Sequence, residues 1–350
     1  MFKKDKWVNL LPDDEQNINA QHLRKFFLTM YERQEIWYKR FWDKEPAPWT
    51  NNAILRDNKF TNVYRELDRN SQWLINNVLL HCDELSVNDT VWRIMLFRYF
   101  NQPALFDYAS GKLQGTEIRS WQNGVPSYAE YDEDEFADHI LQVRATGQRP
   151  YTSAYYVNST NQSAPGMGAD YIFGHIVIPN LHKNIPSIVK CIRNSKTPQV
   201  LIDLLKTLPQ CSDFLAHEFY QDFTYISIYT HHQFFRWTQN DFTNVGPGAA
   251  IGLRLVLPSL KTYKERVGGI RYLRDVAVSE LLKIGDFKFI HWDKKARCYK
   301  RSSPALSLHQ IEMWLCEYGK YWKMQVGEGK QRSKYQHQQS ELQYNIGYDR

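Results

Sequence analysis

The stretch "SVNDTVWRIMLFRYFN" (86–101) limits what this chain can fold into more than any other. After a capping signal at Asn88 or Asp89, apolar residues occupy nearly every position around a helix and leave no face for water. Such a helix belongs inside a core and takes Arg93 and Arg98 with it. Both arginines then need partners, or a route for their charged heads to reach solvent. At 350 residues and 43% hydrophobic content, the chain has enough material to build that core.

Helical periodicity continues on either side. In residues 19–42 apolar side chains recur at Leu23, Phe26, Phe27, Met30, Tyr31 and Trp37, and "PWTNNAIL" then breaks the pattern, with a cap expected at Thr50 or Asn51. Further helices are expected from about 62 to 80 and at "IPSIVKCIRN" and "TPQVLIDLLKTL". Residues 286–301 alternate apolar and polar side chains around a polar turn, the pattern of a small β-hairpin. Residues 144–170 are rich in Gly, Ser, Thr, Asn and Pro and read as a long loop. After about 326 the chain turns polar and Gln-rich, the composition of a frayed tail. The expected fold is mainly α: one helical domain over 1–330, or two lobes of about 1–145 and 171–330 flanking the loop, then a polar tail over 331–350.

Lys and Arg outnumber Asp and Glu by 44 to 38, which permits a polyanionic partner without requiring one. Aromatic content of 15% suits an aromatic core, and equally rings that stack on bases. The cysteines (82, 191, 211, 298, 316) form no CxxC pair and no ligand rhythm with His, so neither a disulfide scaffold nor a metal site is expected. With no signal peptide and no bilayer-length apolar run, the chain reads as a soluble cytoplasmic protein.

The tetrapeptide "FTNV" occurs at 60–63 and 242–245 in unrelated contexts. In "FTNVYRELDRN" a helix starting near Thr61 would place Asn62, Arg65 and Arg69 on one face, with Asp68 three residues from Arg65. That pattern is either a salt-bridged surface helix or an arginine pair held to clamp a phosphate or pyrophosphate. In "VGPGAAIGL" (245–253), Gly246 and Gly248 followed by Gly252 have the spacing of a helix-hairpin-helix turn, whose backbone N–H groups approach phosphate; a glycine-rich helix start with no ligand is the alternative. "LPQCSDFLA" (208–216) is a degenerate copy, with Gln210 and Ser212 where glycines would sit. The acids that follow are Glu218, Asp222 and Asp241. A helical hairpin followed by acids is the organisation of helix-hairpin-helix DNA glycosylases, which act on a flipped nucleotide.

Residues 37–74, "VWRIMLFRYFN", "YTSAYYV", "DFLAHEFYQDFTY", "VGPGAAIGL" and 307–329 together resemble the helical domain associated with 5-hydroxymethyluracil DNA kinases. The resemblance extends to the alpha-glutamyl/putrescinyl thymine pyrophosphorylase group of amino acid:DNA transferases. It implies a helix-hairpin-helix glycosylase-like fold and a role in hypermodifying thymine-like bases in bacteriophage DNA, in the cytoplasm of the infected host. A kinase first pyrophosphorylates the hydroxymethyl group, and an enzyme of this group then displaces pyrophosphate with an amine or amino acid. No G-x-x-x-x-G-K-[ST] occurs in the chain, so the kinase step itself is not expected here.

Under that implied reaction, Asp222, then Asp241, with Glu218 nearby, are the candidate bases for the incoming ammonium. Asn62, Arg65, Asp68 and Arg69, with Lys320, would hold the pyrophosphate. Tyr155 or Tyr156 would stack on the base, and Gly246 and Gly248 would grip the DNA backbone. As bland alternatives, Asp222 is a helix-surface acid, Asp241 an N-cap, and Glu317–Lys320 a structural ion pair. The expected partners are DNA carrying modified uracil, an amine co-substrate and a hydroxymethyluracil DNA kinase. No cofactor is expected beyond a divalent metal that pyrophosphate would bring. A DNA glycosylase and a non-catalytic DNA-binding partner of the kinase are the competing functions.

Overall fold

Caps decide where the helices begin. Asn19 accepts from the His22 N–H at 3.1 Å and opens α1 (Ala20–Trp37), which ends in a π-helical turn over Tyr38–Trp42. Asn52, rather than Thr50 or Asn51, caps α2 (Ala53–Asp57). The helix expected from about 62 starts later, as α3 (Arg69–Asn77). Ser86, not Asn88 or Asp89, caps α4 (Val87–Phe100) by accepting from the Asp89 N–H at 3.1 Å. That register puts Asp89 in the first turn, where its carboxylate suits the helix dipole.

Next come α5 (Pro103–Ala109), α6 (Glu133–Ala145), α7 (Ala169–Ile172), α8 (Ile178–Asn194), α9 (Pro198–Leu205) and α10 (Asp213–Tyr229). They are followed by α11 (Pro247–Val256), α12 (Tyr263–Ile284), strands β1 (Ile290–Asp293) and β2 (Cys298–Arg301), and α13 (Leu308–Gln325). The strands pair antiparallel, with Ile290 opposite Arg301 and Asp293 opposite Cys298, so the expected hairpin is present. This is a computed structural model, and it describes residues 18–110, 121–152, 168–329 and 343–347. Among them the architecture is mainly α with this one small sheet. Among them, too, no helix is long and apolar enough to cross a membrane.

The chain divides into two compact units, residues through Asp68 with those from Gln239 onward, and Arg69–Thr238. Neither boundary falls in 144–170. In the second unit α4 packs against α8 and α10, and every residue from Asp89 to Phe100 is buried. Each large apolar side chain so buried contributes about 1.5–3 kcal/mol. Arg93 stays inside because its Nε donates to Asp89 at 3.0 Å and its Nη1 to the Val125 carbonyl at 2.8 Å. Around the long loop, Arg144 pairs with Asp170 and donates to the Tyr151 hydroxyl, holding the two ends together. Tyr155 and Tyr156 lie outside the described residues.

In the first unit α1, α11, α12 and α13 share a core that includes Phe26, Phe27, Leu253, Leu273, Trp314 and Tyr318. Here the "VGPGAAIGL" glycines have a packing reason. A Cβ at Gly252 would lie 2.1 Å from the Leu315 carbonyl oxygen, and one at Gly248 would lie 2.9 Å from the Cys316 Sγ, so α11 presses against α13 only without side chains there. The expected tight hairpin is absent, since residues 231–246 before α11 carry no helix. The degenerate copy fares better: α9 and α10 are joined by a short turn in which Gln210 adopts φ 59°, the left-handed backbone a glycine would take there. The polar end of the chain is not frayed at 343–347, where Tyr299 donates its N–H to the Asn345 carbonyl at 2.7 Å and accepts from the Gly347 N–H at 2.9 Å.

Candidate active site

The segment "FTNVYRELDRN" does not form the expected charged helix. Residues 59–64 are irregular, Arg65–Leu67 make one 3-10 turn, and Asp68 is extended at φ −73°, ψ 148°. The side chains explain this: Asp68 Oδ1 accepts from the Asn62 backbone N–H at 2.8 Å, and Asn62 Nδ2 donates to the Leu67 carbonyl at 2.8 Å. Asn and Asp thus bind the local backbone groups that a helix would need. Asn62, Arg65 and Asp68 are brought together by a folded loop instead of a helix face.

Asn62 is the centre of that loop. It is 7% exposed, its Nδ2 also donates to Asp68 Oδ1 at 3.0 Å, and its Oδ1 accepts from Arg33 Nη2 at 2.6 Å. Arg33 Nε adds a bond to the Thr61 carbonyl at 3.1 Å. Every polar atom of the Asn62 amide is therefore used, which fixes both its orientation and the direction of the Asp68 carboxylate. Arg33 was not anticipated, although it interrupts the stripe Phe26, Met30, Trp37 at the position where α1 turns inward. A cation on an otherwise buried stripe was the available signal.

α13 closes the other side. Glu317 Oε2 accepts from the Thr61 N–H at 3.3 Å and from Lys320 Nζ at 3.0 Å. Lys320 also donates to the Lys59 carbonyl and sits 4.2 Å from the centre of the Phe60 ring. The Glu317–Lys320 pair is thus an ion pair, and one that also anchors the loop.

Two carboxyls of this loop, each half-buried, are raised well above their ordinary range. Burial lifts Asp68 to about 6, working against the attraction of Arg65, the Asn62 N–H and Arg33; Glu317 adds to the lift. Burial likewise raises Glu66 to about 7. A carboxyl group poised near neutrality beside two guanidinium groups, as Asp68 is beside Arg65 and Arg33, can exchange protons at working pH.

The other expected residues lie elsewhere. Asp222 and Glu218 are in the second unit, on α10. Asp222 is buried and accepts from Arg98 through both oxygens, at 2.5 and 2.6 Å. Glu218 approaches the same guanidinium at 3.7 Å. A carboxylate clamped in this way holds α4 to α10. Asp241 is exposed and feels the charge of Arg271 on α12. Arg69 opens α3 as an exposed residue of the second unit. Gly246 caps α11, and nothing lies within 4 Å of where its Cβ would be.

The architecture is helical, with a polar loop at the heart of its discontinuous unit. The family model described as "5-hmdU DNA kinase, helical domain" matches residues 20–331, and the chain belongs to that family. A relative, the 5-hmdU DNA kinase of Bacillus phage SP10, is 24% identical over 309 residues, covering 85% of this chain and 44% of its own length. The chain therefore spans less than half of that relative. No solved structure matches.

Proposed function

We propose that this chain acts in the modification of thymine-like bases in DNA, displacing pyrophosphate from 5-pyrophosphoryloxymethyl-uracil with an amine or amino acid. The observation that carries the reading is the Asn62–Asp68–Arg33 loop, where a carboxylate lifted to about 6 is oriented by a fully used amide. The base is therefore reassigned from Asp222 to Asp68. The amine nitrogen attacks the exocyclic carbon on position 5 of uracil, the carbon–oxygen bond breaks, and pyrophosphate departs with the electron pair. The proton lost from nitrogen goes to Asp68. Arg65 and Lys320 are the cations beside the loop that would offset the leaving group's charge. Family membership supports DNA as the substrate.

The test is incubation with DNA carrying 5-pyrophosphoryloxymethyl-uracil and a panel of amines, with and without Mg²⁺, followed by nucleoside mass spectrometry and pyrophosphate detection. An aminated nucleoside and stoichiometric pyrophosphate are expected. Abasic sites would instead indicate a glycosylase, and an unchanged nucleoside across the panel would sink both enzyme readings. Because a base must be deprotonated, turnover should rise with pH through about 6 and then level. Asp68→Asn should lower it by about 10²–10⁴-fold and remove that limb.

A further inference from the structure

Tyr344 reaches the candidate site from a part of the chain that no motif singled out. Its hydroxyl donates to the Leu67 carbonyl at 2.5 Å. The same carbonyl accepts Asn62 Nδ2 at 2.8 Å, and that nitrogen also reaches Asp68 at 3.0 Å. One carbonyl oxygen therefore links Tyr344 to the group that orients the carboxylate. The ring stands edge-on to Trp37 and Phe41, with centroids 5.3 and 4.7 Å away. It is placed there by backbone pairing on both sides of Tyr299, through Asn345 and Gly347, which adds a short parallel stretch to the edge of β2. The edge of the hairpin thus serves as a dock that sets the depth of one side chain.

We propose that Tyr344 is a positioning residue of the Asp68 site: its docked ring keeps water from the carboxylate, and its hydroxyl fixes the Leu67 carbonyl against which Asn62 is aligned. This rests on the reading of Asp68 as the base, yet its physical consequence is measurable without turnover. Asp68 is faced by Arg33 from α1, by Arg65, Glu66 and Asn62 from its own loop, and by Glu317 from α13. Substitutions at Tyr344 leave all of these in place. Removing the ring admits water and should return the carboxyl toward the ordinary aspartate range.

The experiment is a carboxyl-carbon NMR titration of the full chain, with the Asp68 signal assigned by its loss in Asp68→Asn. Tyr344→Ala should move the Asp68 midpoint down by about one pH unit or more, whereas Tyr344→Phe, which keeps the ring, should move it far less. An unchanged midpoint in Tyr344→Ala overturns the proposal. Should Tyr344→Ala not fold, Tyr344→Phe decides alone: losing the hydroxyl should speed hydrogen exchange at the Asn62 N–H by roughly 5-fold, and unchanged exchange overturns the proposal. In the transferase assay Tyr344→Phe should lower kcat with KM for DNA unchanged, because the hydroxyl touches Leu67 rather than substrate; a change in KM alone would contradict the role. If the wild-type chain turns nothing over, the proposed reaction fails while the titration still decides the place of Tyr344.

Discussion

Arg98 governs α4, because a guanidinium 1% exposed inside a core is tolerable only while its partner stays with it. Asp222 fills that role through two short bonds, and Asn101, in left-handed conformation at the end of α4, takes a third at 3.0 Å. Arg98→Met should therefore destabilise the protein by about 3–5 kcal/mol, by leaving buried carboxylates without their cation. The double change Arg98→Met with Asp222→Leu should recover part of that loss, with Glu218 still buried nearby, and chemical denaturation of the three proteins measures it. A double variant as unstable as the single one would mean that the pair does more than neutralise charge. The sequence made the need for a partner plain, since Arg98 sits on a helix with no wet face. It could not name Asp222, 124 residues away, because only the packing of α10 on α4 pairs them. For the same reason an acid beyond a hairpin looked catalytic, while Asp68, already in view, looked like a mere support for Arg65. The raised carboxyl of Asp68, which one chain's pattern does not reveal inside an irregular loop, is what the proposed reaction draws on instead.

At the scale of elements, periodicity was readable, while the exact capping residues and the loop geometry were not. α1, α4 and the β1–β2 hairpin lie close to where apolar spacing put them. The failures share a cause: side chains that bond nearby backbone replaced the helix expected over 61–69, and interhelical contact accounts for glycines whose spacing resembled a phosphate turn. The second point separates two glycines only six residues apart. Gly252→Ala would force a methyl group to 2.1 Å from the Leu315 carbonyl oxygen, backbone that cannot rotate away, so α11 must shift off α13. A loss of about 1–3 kcal/mol is expected. Gly246→Ala meets nothing within 4 Å at an ordinary φ of −67° and should stay within about 0.5 kcal/mol of the parent. Equal melting temperatures for the two variants would refute the packing account. A DNA-binding defect confined to Gly246→Ala would restore a backbone-gripping role to this turn.

At the scale of the molecule, the first unit is discontinuous, assembled from residues through Asp68 and those from Gln239 onward. Composition does not change at either junction, so the sequence alone suggested lobes parting at the polar loop. What joins the discontinuous unit can be followed in its dependence on pH. Asp68 and Glu66 have folded-state values raised to about 6 and about 7. In the unfolded chain both return to the ordinary range of about 4. A raised carboxyl binds its proton more tightly when folded, so its stabilising contribution is complete below that unfolded value and is lost as pH rises through the folded one. Asp293 behaves oppositely: the Lys300 ammonium holds it down to about 2, so its contribution persists above the ordinary range and disappears only in strong acid. Between about pH 4 and pH 7 the first pair dominates, with Glu35, also raised by burial, adding in the same direction and His22, lowered by burial, opposing. The melting temperature should fall as pH rises across that window. Asp68→Asn and Glu66→Gln each replace a titrating carboxyl with an amide of the same shape, so each should flatten the slope, and together they should remove most of it. Calorimetry from pH 4.5 to 7.5 on the four proteins reads the slopes directly. A parent whose stability rises with pH in that window, or a double variant with the parent's slope, would show that these carboxyls are not held in the protonated state by the fold.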